Sequence, residues 1–126
     1  MALNLLIVDD SSIVRKVFRR ALDMTDVQLG SLFEAENGQQ ALEILEREWV
    51  DLIFLDINMP VMNGVEFLSA LRQSDQRGST PVIIVSTEGS KERKEQILEQ
   101  GISGYLRKPV SPEELVEAIH QVLGAS

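Results

Sequence analysis

Four consecutive apolar residues, Leu52-Ile53-Phe54-Leu55, run straight into Asp56, and this run constrains the fold more than any other stretch of the chain. A continuous apolar run of strand length is the pattern of a strand buried on both faces of a parallel sheet. Such a strand lies at the sheet's centre. After Asp56 the sequence Ile57 to Gly64, INMPVMNG, leaves the sheet as a loop, so the carboxylate sits at the strand's carboxyl end. In open α/β sheets that edge is where ligands bind. An Asp after a strand can simply cap the next helix, but Asn63 competes for that duty. Asn63-Gly64-Val65-Glu66 reads as an N-cap with Glu at N3, a capping box ahead of Phe67, Leu68 and Leu71. Asp56 is then left without a structural duty.

The same grammar repeats along the chain. Leu5 to Val8 form a second apolar run that ends in Asp9 and Asp10; Leu32, Phe33 and Ala35 make a short strand; Pro81 opens Val82 to Val85, which ends in Ser86 and Thr87; and Gly104 to Arg107 lead to Lys108-Pro109. Between these lie helical patterns. Ser11 or Ser12 caps a helix whose Ile13, Val14, Val17, Phe18, Ala21 and Leu22 are expected inward, with Arg15, Lys16, Arg19 and Arg20 outward. Thr25 to Gly30 reads as a connection. Asn37-Gly38 marks the turn into a helix carrying Ala41, Leu42, Ile44 and Leu45. Ser90 can cap a helix that Gly101 terminates, and with few apolar anchors, chiefly Ile97 and Leu98, it is expected to be the most weakly held. The last helix starts with Ser111 at N-cap, Pro112 at N1 and Glu114 at N3, then buries Leu115, Val116, Ile119, Val122 and Leu123.

Five strands alternating with five helices predict an α/β chain with right-handed crossovers and helices on both faces of the sheet. For a chain this small the expected form is the flavodoxin-like (βα)5 three-layer sandwich, strand order 2-1-3-4-5, with its switch point between strands one and three. At 126 residues and 44% hydrophobic content the expectation is one domain over residues 1–126. A net charge of -8 argues against a nucleic-acid partner, which needs a basic face, and leaves another protein or a small ion. With no cysteine, disulfides and thiolate metal sites are excluded. Leu5 to Val8 is too short for a signal peptide or membrane span, so a cytoplasmic chain without membrane insertion is expected.

Neighbouring strands lie about 4.8 Å apart, so acids ending strands one and three must crowd one pocket. Like charges at that range raise a pKa unless a cation sits between them. All the candidate ligands are oxygens, which points to a hard divalent ion such as Mg2+. Ser86 adds a hydroxyl and Lys108 a positive charge at the same edge. Each residue alone has an ordinary reading: Asp9-Asp10 as a helix-capping pair, Ser86 as a turn residue, Lys108 as a solvated lysine. Together they describe a phosphoryl site with Asp56 as a candidate nucleophile.

VDD at Val8 to Asp10, LDINMPVMNG at Leu55 to Gly64, VSTE at Val85 to Glu88 and GYLRKP at Gly104 to Pro109 resemble the response-regulator receiver domains of two-component signalling, most closely the single-domain chemotaxis type. The resemblance runs from about Leu5 to Leu123. It implies that Asp56 is the phosphoacceptor, that Asp10, Asp56 and the Asn58 carbonyl bind Mg2+, and that Asp9 acts through water. It further implies that Ser86, Thr87 and Lys108 surround the phosphoryl group, that Tyr105 changes rotamer with it, and that Lys108-Pro109 is cis. Many relatives have Ala or Gly where Thr87 stands, which narrows access to Asp56. Asn58 and Glu88 match the pair that tunes dephosphorylation. The partners implied are a sensor histidine kinase, a downstream protein target and a phosphatase, with output through the Ser90 to Gly101 helix, the Tyr105 strand and the last helix. Two other classes compete: a small aspartate-nucleophile phosphatase of the haloacid dehalogenase type, against which Asn58 stands where that family has Asp, and a flavodoxin-like FMN carrier, against which the first loop is acidic.

Overall fold

The computed structural model describes residues 2–87, 95, 97–99 and 101–123. Its elements in chain order are β1 (Leu3–Val8), α1 (Ser12–Asp23), β2 (Leu29–Ala35), α2 (Gly38–Arg47), β3 (Leu52–Leu55), α3 (Gly64–Arg72), β4 (Val82–Ser86), β5 (Gly104–Arg107) and a C-terminal helix, here α4 (Pro112–Leu123). Residues 97–99 are also helical. The cap expected at Ser90 lies outside the described residues. All strand pairs are parallel and the order is β2-β1-β3-β4-β5. The fold is the flavodoxin-like α/β arrangement expected from the alternation of runs. β3 is central and every residue of it is buried, as a strand covered on both faces must be.

Two apolar layers flank the sheet because successive side chains of a strand point to opposite faces. Leu6, Val8, Ile53 and Leu55 pack with α2 and α3 on one side, and Leu5, Ile7, Leu52 and Phe54 pack with α1 and α4 on the other. On that second side Phe18 of α1 meets Phe54 with ring centroids 4.9 Å apart. The expected caps are in place. Asn63 and Glu66 form a reciprocal capping box at α3, Ser11 accepts from Val14 N at α1, and Ser111 and Glu114 exchange bonds at the start of α4. Gly101 takes φ +76, the left-handed conformation that suits glycine at a helix end.

Helix α1 departs from its expected faces. Phe18, Ala21 and Leu22 are buried, but Ile13 and Val17 are 72% and 58% exposed. A helix presents only a limited stripe to a flat sheet, and these two residues, one turn apart, fall beside it. They line an open groove of about 290 Å³ with Val85, Thr87, Lys108 and Pro109. Arg15, expected outward, is turned inward on the opposite flank, with its side chain only 12% exposed.

Ladder hydrogen bonds continue one residue past three strands. Asp9 N donates to Ala35 O at 3.0 Å, Asp56 N to Val8 O at 2.9 Å and Lys108 N to Ser86 O at 3.1 Å. Since Val8 is in register with Leu55, the two aspartates that follow them are held side by side at one level of the sheet edge.

Candidate functional site

Asp9, Asp10 and Asp56 each offer a carboxylate oxygen within 4.8 Å of the others. Asp9 and Asp56 are buried and Asp10 is exposed. Asp9 is tethered at both carboxylate oxygens: Oδ1 accepts from Ser11 N at 2.9 Å and Oδ2 from Lys108 Nζ at 2.7 Å. Asp56 Oδ1 accepts from Ile57 N at 2.9 Å and lies 3.6 Å from Lys108 Nζ. Three carboxylates against one ammonium leave the cluster two negative charges from neutrality. Burial pushes the Asp56 carboxyl above its ordinary range; Lys108 and the Ile57 amide pull it back, while Asp9 and Asp10 push it further up.

A donor set made only of carboxylate oxygens, with a deficit of two charges, fits a hard divalent cation. Glycine is required beside this cluster. A Cβ on Gly64 would stand 2.6 Å from Asp56 O and 2.8 Å from Ile57 Cα, so the first turn of α3 approaches the loop only because position 64 has no side chain. Gly64 N in turn donates to Ile57 O at 2.8 Å.

The remaining residues expected at the site distribute as follows. Ser86 is fully buried at the end of β4, while Thr87 and Asn58 are exposed. Tyr105, half-buried on β5, pairs in register with Ile84 and packs against the core layer of α2 and α3. Lys108-Pro109 is cis. Glu88 lies outside the described residues.

Two features escaped sequence reasoning. Arg15 donates from Nη1 to Asp9 O at 2.6 Å, which an outward-facing assignment hid. Val61 adopts φ +68 in a tight turn closed by Met62 N donating to Pro60 O at 2.7 Å. A β-branched residue in that region costs on the order of 1–3 kcal/mol. Nothing in a Pro-Val-Met sequence signals it, since glycine or asparagine is the usual marker.

The sequence matches the response regulator receiver domain family over residues 5–120. The chain belongs to that family. Receiver-domain relatives include a chemotaxis protein CheY homolog of Campylobacter jejuni, 37% identical over 97% of this chain and 93% of its own length. The nitrate/nitrite response regulator protein NarL of Escherichia coli (strain K12) is 36% identical over 94% of this chain but only 53% of its own. The structure of the chemotaxis response regulator CheY4 of Vibrio cholerae superposes with a TM-score of 0.84 at 34% identity, covering 97% of this chain and 99% of that one. Membership selects a receiver of two-component signalling among the three classes weighed from the sequence. Among the described residues, no helix is long and apolar enough to cross a membrane.

Proposed function

We propose that this receiver is a switch that accepts a phosphoryl group on Asp56 from a histidine kinase and signals by binding another protein. The observation that carries this reading is the burial of Asp56 within ion-pair reach of Lys108 and beside Asp9 and Asp10, at the carboxyl edge of the central strand. A carboxylate oxygen of Asp56 forms the new O–P bond as the N–P bond of the donor's phosphohistidine breaks and the imidazole leaves. Asp10 and Asp56, with the Asn58 carbonyl and with Asp9 through water, would hold Mg2+, which would supply the positive charge that lets the carboxylates stay ionised together and offsets the phosphoryl oxygens.

Lys108 has a second task in this scheme. Its ammonium is engaged with Asp9 at 2.7 Å and stands farther from Asp56, at 3.6 Å, so it can turn toward a new anion on Asp56 without crossing the site. Ser86, at the end of the neighbouring strand, supplies a hydroxyl to the same anion, and Thr87 limits access from the open side. Asn58 and Glu88 set the rate at which water removes the group, and a phosphatase partner accelerates that step. Ile13 and Val17 beside the groove and Val61 in the loop, 81% exposed, give a protein donor apolar surface to grip.

Output passes through the 90–101 segment, the Tyr105 strand and α4, where Tyr105 changes rotamer as Ser86 engages the phosphoryl group. The similarity to chemotaxis proteins supports a chemotaxis pathway, and the net charge of -8 supports a protein rather than nucleic-acid target. Incubation with acetyl phosphate and Mg2+ followed by intact mass tests the reading. Wild type gains one phosphoryl mass and Asp56→Asn gains none; labelling of Asp56→Asn at the wild-type rate refutes the assignment.

A further inference from the structure

Arg15 closes a ring around the first acidic loop. Its Nη1 donates to Asp9 O at 2.6 Å and its Nε to Glu34 Oε1 at 3.1 Å, while Glu34 Oε2 also takes the Arg19 guanidinium. Glu34 is the β2 residue next to Ala35, whose carbonyl accepts the Asp9 N–H at 3.0 Å. Asp9 is therefore gripped by β2 on its amide side directly and on its carbonyl side through Arg15. That carbonyl belongs to the peptide joining Asp9 to Asp10. Fixing the plane of this peptide limits the backbone rotations that aim the Asp10 carboxylate, an exposed side chain on a turn.

We propose that Arg15, braced by Glu34, is a positioning residue that orients the Asp9–Asp10 peptide so that the Asp10 carboxylate meets Asp56 at cation-binding distance. The inference rests on the reading that these acids hold a divalent cation. It differs from a charge effect in sign. If Arg15 acted only as a nearby positive charge it would repel the cation, and removing it would tighten binding. If Arg15 positions Asp10, its removal loosens the carboxylates and weakens binding. The side chain's burial and its two partners on separate elements favour the second effect, since a planar guanidinium can hold a carbonyl and a carboxylate at once.

The test is calorimetric titration of Mg2+ into metal-free full-length protein. Arg15→Ala should weaken binding by about tenfold, the scale seen when a residue that orients a metal ligand is removed. Arg15→Lys keeps the charge but loses the fork, and should fall between the two. Glu34→Gln should weaken binding less, and its effect should vanish in the Arg15→Ala background, because Glu34 acts through Arg15. A readout without metal accompanies these: in EDTA the Ser11 amide, which donates to Asp9 Oδ1, should exchange its hydrogen faster in Arg15→Ala than in wild type. If Arg15→Ala binds Mg2+ as tightly as wild type or more tightly while its circular dichroism is unchanged, the inference is overturned. Should Arg15→Ala fail to fold, a wild-type affinity in both Arg15→Lys and Glu34→Gln overturns it equally. Failure of the underlying reading shows separately, as a wild-type protein that neither binds Mg2+ nor gains mass at Asp56.

Discussion

β3 is bracketed by two aspartates, and they live under opposite conditions. Asp51, ahead of the strand, has each carboxylate oxygen bonded within the chain: Oδ1 accepts from Trp49 Nε1 at 2.9 Å and Oδ2 from Asn4 N at 2.8 Å. Around it Arg77 lies over the Trp49 ring, 4.9 Å from its centroid, and donates to Leu45 O, while Arg72 gathers the carbonyls of Gly78, Thr80 and Gly101. Asp56, behind the strand, is buried beside two more acids with one lysine among them, and its pKa is raised. One sheet edge is closed by its own residues. The other crowds three carboxylates around one lysine, so its charges are not balanced by its own residues.

The sharpest way to break this contrast is to substitute both residues and read phosphorylation. Asp56→Asn should lose all acetyl phosphate labelling, and Asp51→Ala should label as wild type does, both by intact mass. Asp10→Ala should lose labelling as well, by losing the metal, and should regain part of it at high Mg2+. Labelling that depends on Asp51 would show that the two edges are not separate.

Stability should respond in the reverse sense. Asp51→Ala strips the acceptor from the Asn4 amide and the Trp49 indole, and should destabilise by about 1–3 kcal/mol in urea melts. Asp56→Asn should instead raise the melting temperature at neutral pH in EDTA. The folded-state pKa of Asp56 lies above its unfolded value, so below the unfolded value both states are protonated and no penalty exists. As pH rises the unfolded chain ionises first, and wild type loses stability until the folded carboxyl has also ionised. The gain from Asp56→Asn should therefore be absent in acid and grow as pH rises past the range in which the unfolded carboxyl ionises. A gain that is as large at pH 3 as at pH 7 would mean that charge is not its source.

Asp10→Asn should stabilise in EDTA by a smaller margin, and should shrink the stabilisation that Mg2+ confers. It relieves the same crowding, but the Asp10 side chain is exposed and water screens it. A variant less stable than wild type would count against crowding.

How much of this was legible depends on what each residue type can signal. β1, β3 and β4, and with them the level of Asp9 and Asp56, follow from apolar runs that stop at a polar residue, as strands covered on both faces require. β2, which opens at Leu29 inside the stretch expected as a connection, and β5, whose Gly-Tyr-Leu-Arg is only partly buried ahead of Lys108, carry no such run. The caps at Asn63 and Ser111 were equally plain, since their spacing is itself the mechanism. α1 was misread on both flanks. Periodicity marks a stripe but not its width, so it puts Ile13 and Val17 inward; and an arginine counts as outward until a carbonyl such as that of Asp9 and an acid such as Glu34 are known to await it. Those partners come from a loop and from β2, and no local pattern announces them. The left-handed turn at Val61 was illegible because strain has no residue signature when neither glycine nor asparagine stands there.

The smallest effect concerns Trp49, the one tryptophan, which belongs wholly to the closed edge. It precedes β3 while Asp56 follows it, and seven residues at about 3.3 Å each separate them by roughly 20 Å. Its ring is held between Arg77 and Asp51 and is 61% exposed, so its surroundings are set by groups that the site does not touch. Mg2+ and phosphorylation should leave its fluorescence nearly unchanged, while amide signals near Asp10, Asp56, Ser86 and Lys108 shift in NMR spectra. Phosphorylation, but not Mg2+ alone, should carry shifts on to Tyr105 and residues 97–99. Arg77→Ala supplies the control, because removing the stacked guanidinium should change Trp49 emission without altering Mg2+ affinity. A saturable Mg2+ quench that disappears in Asp56→Asn would show that the two ends of β3 communicate, and the separation of a closed edge from a reactive one would fail.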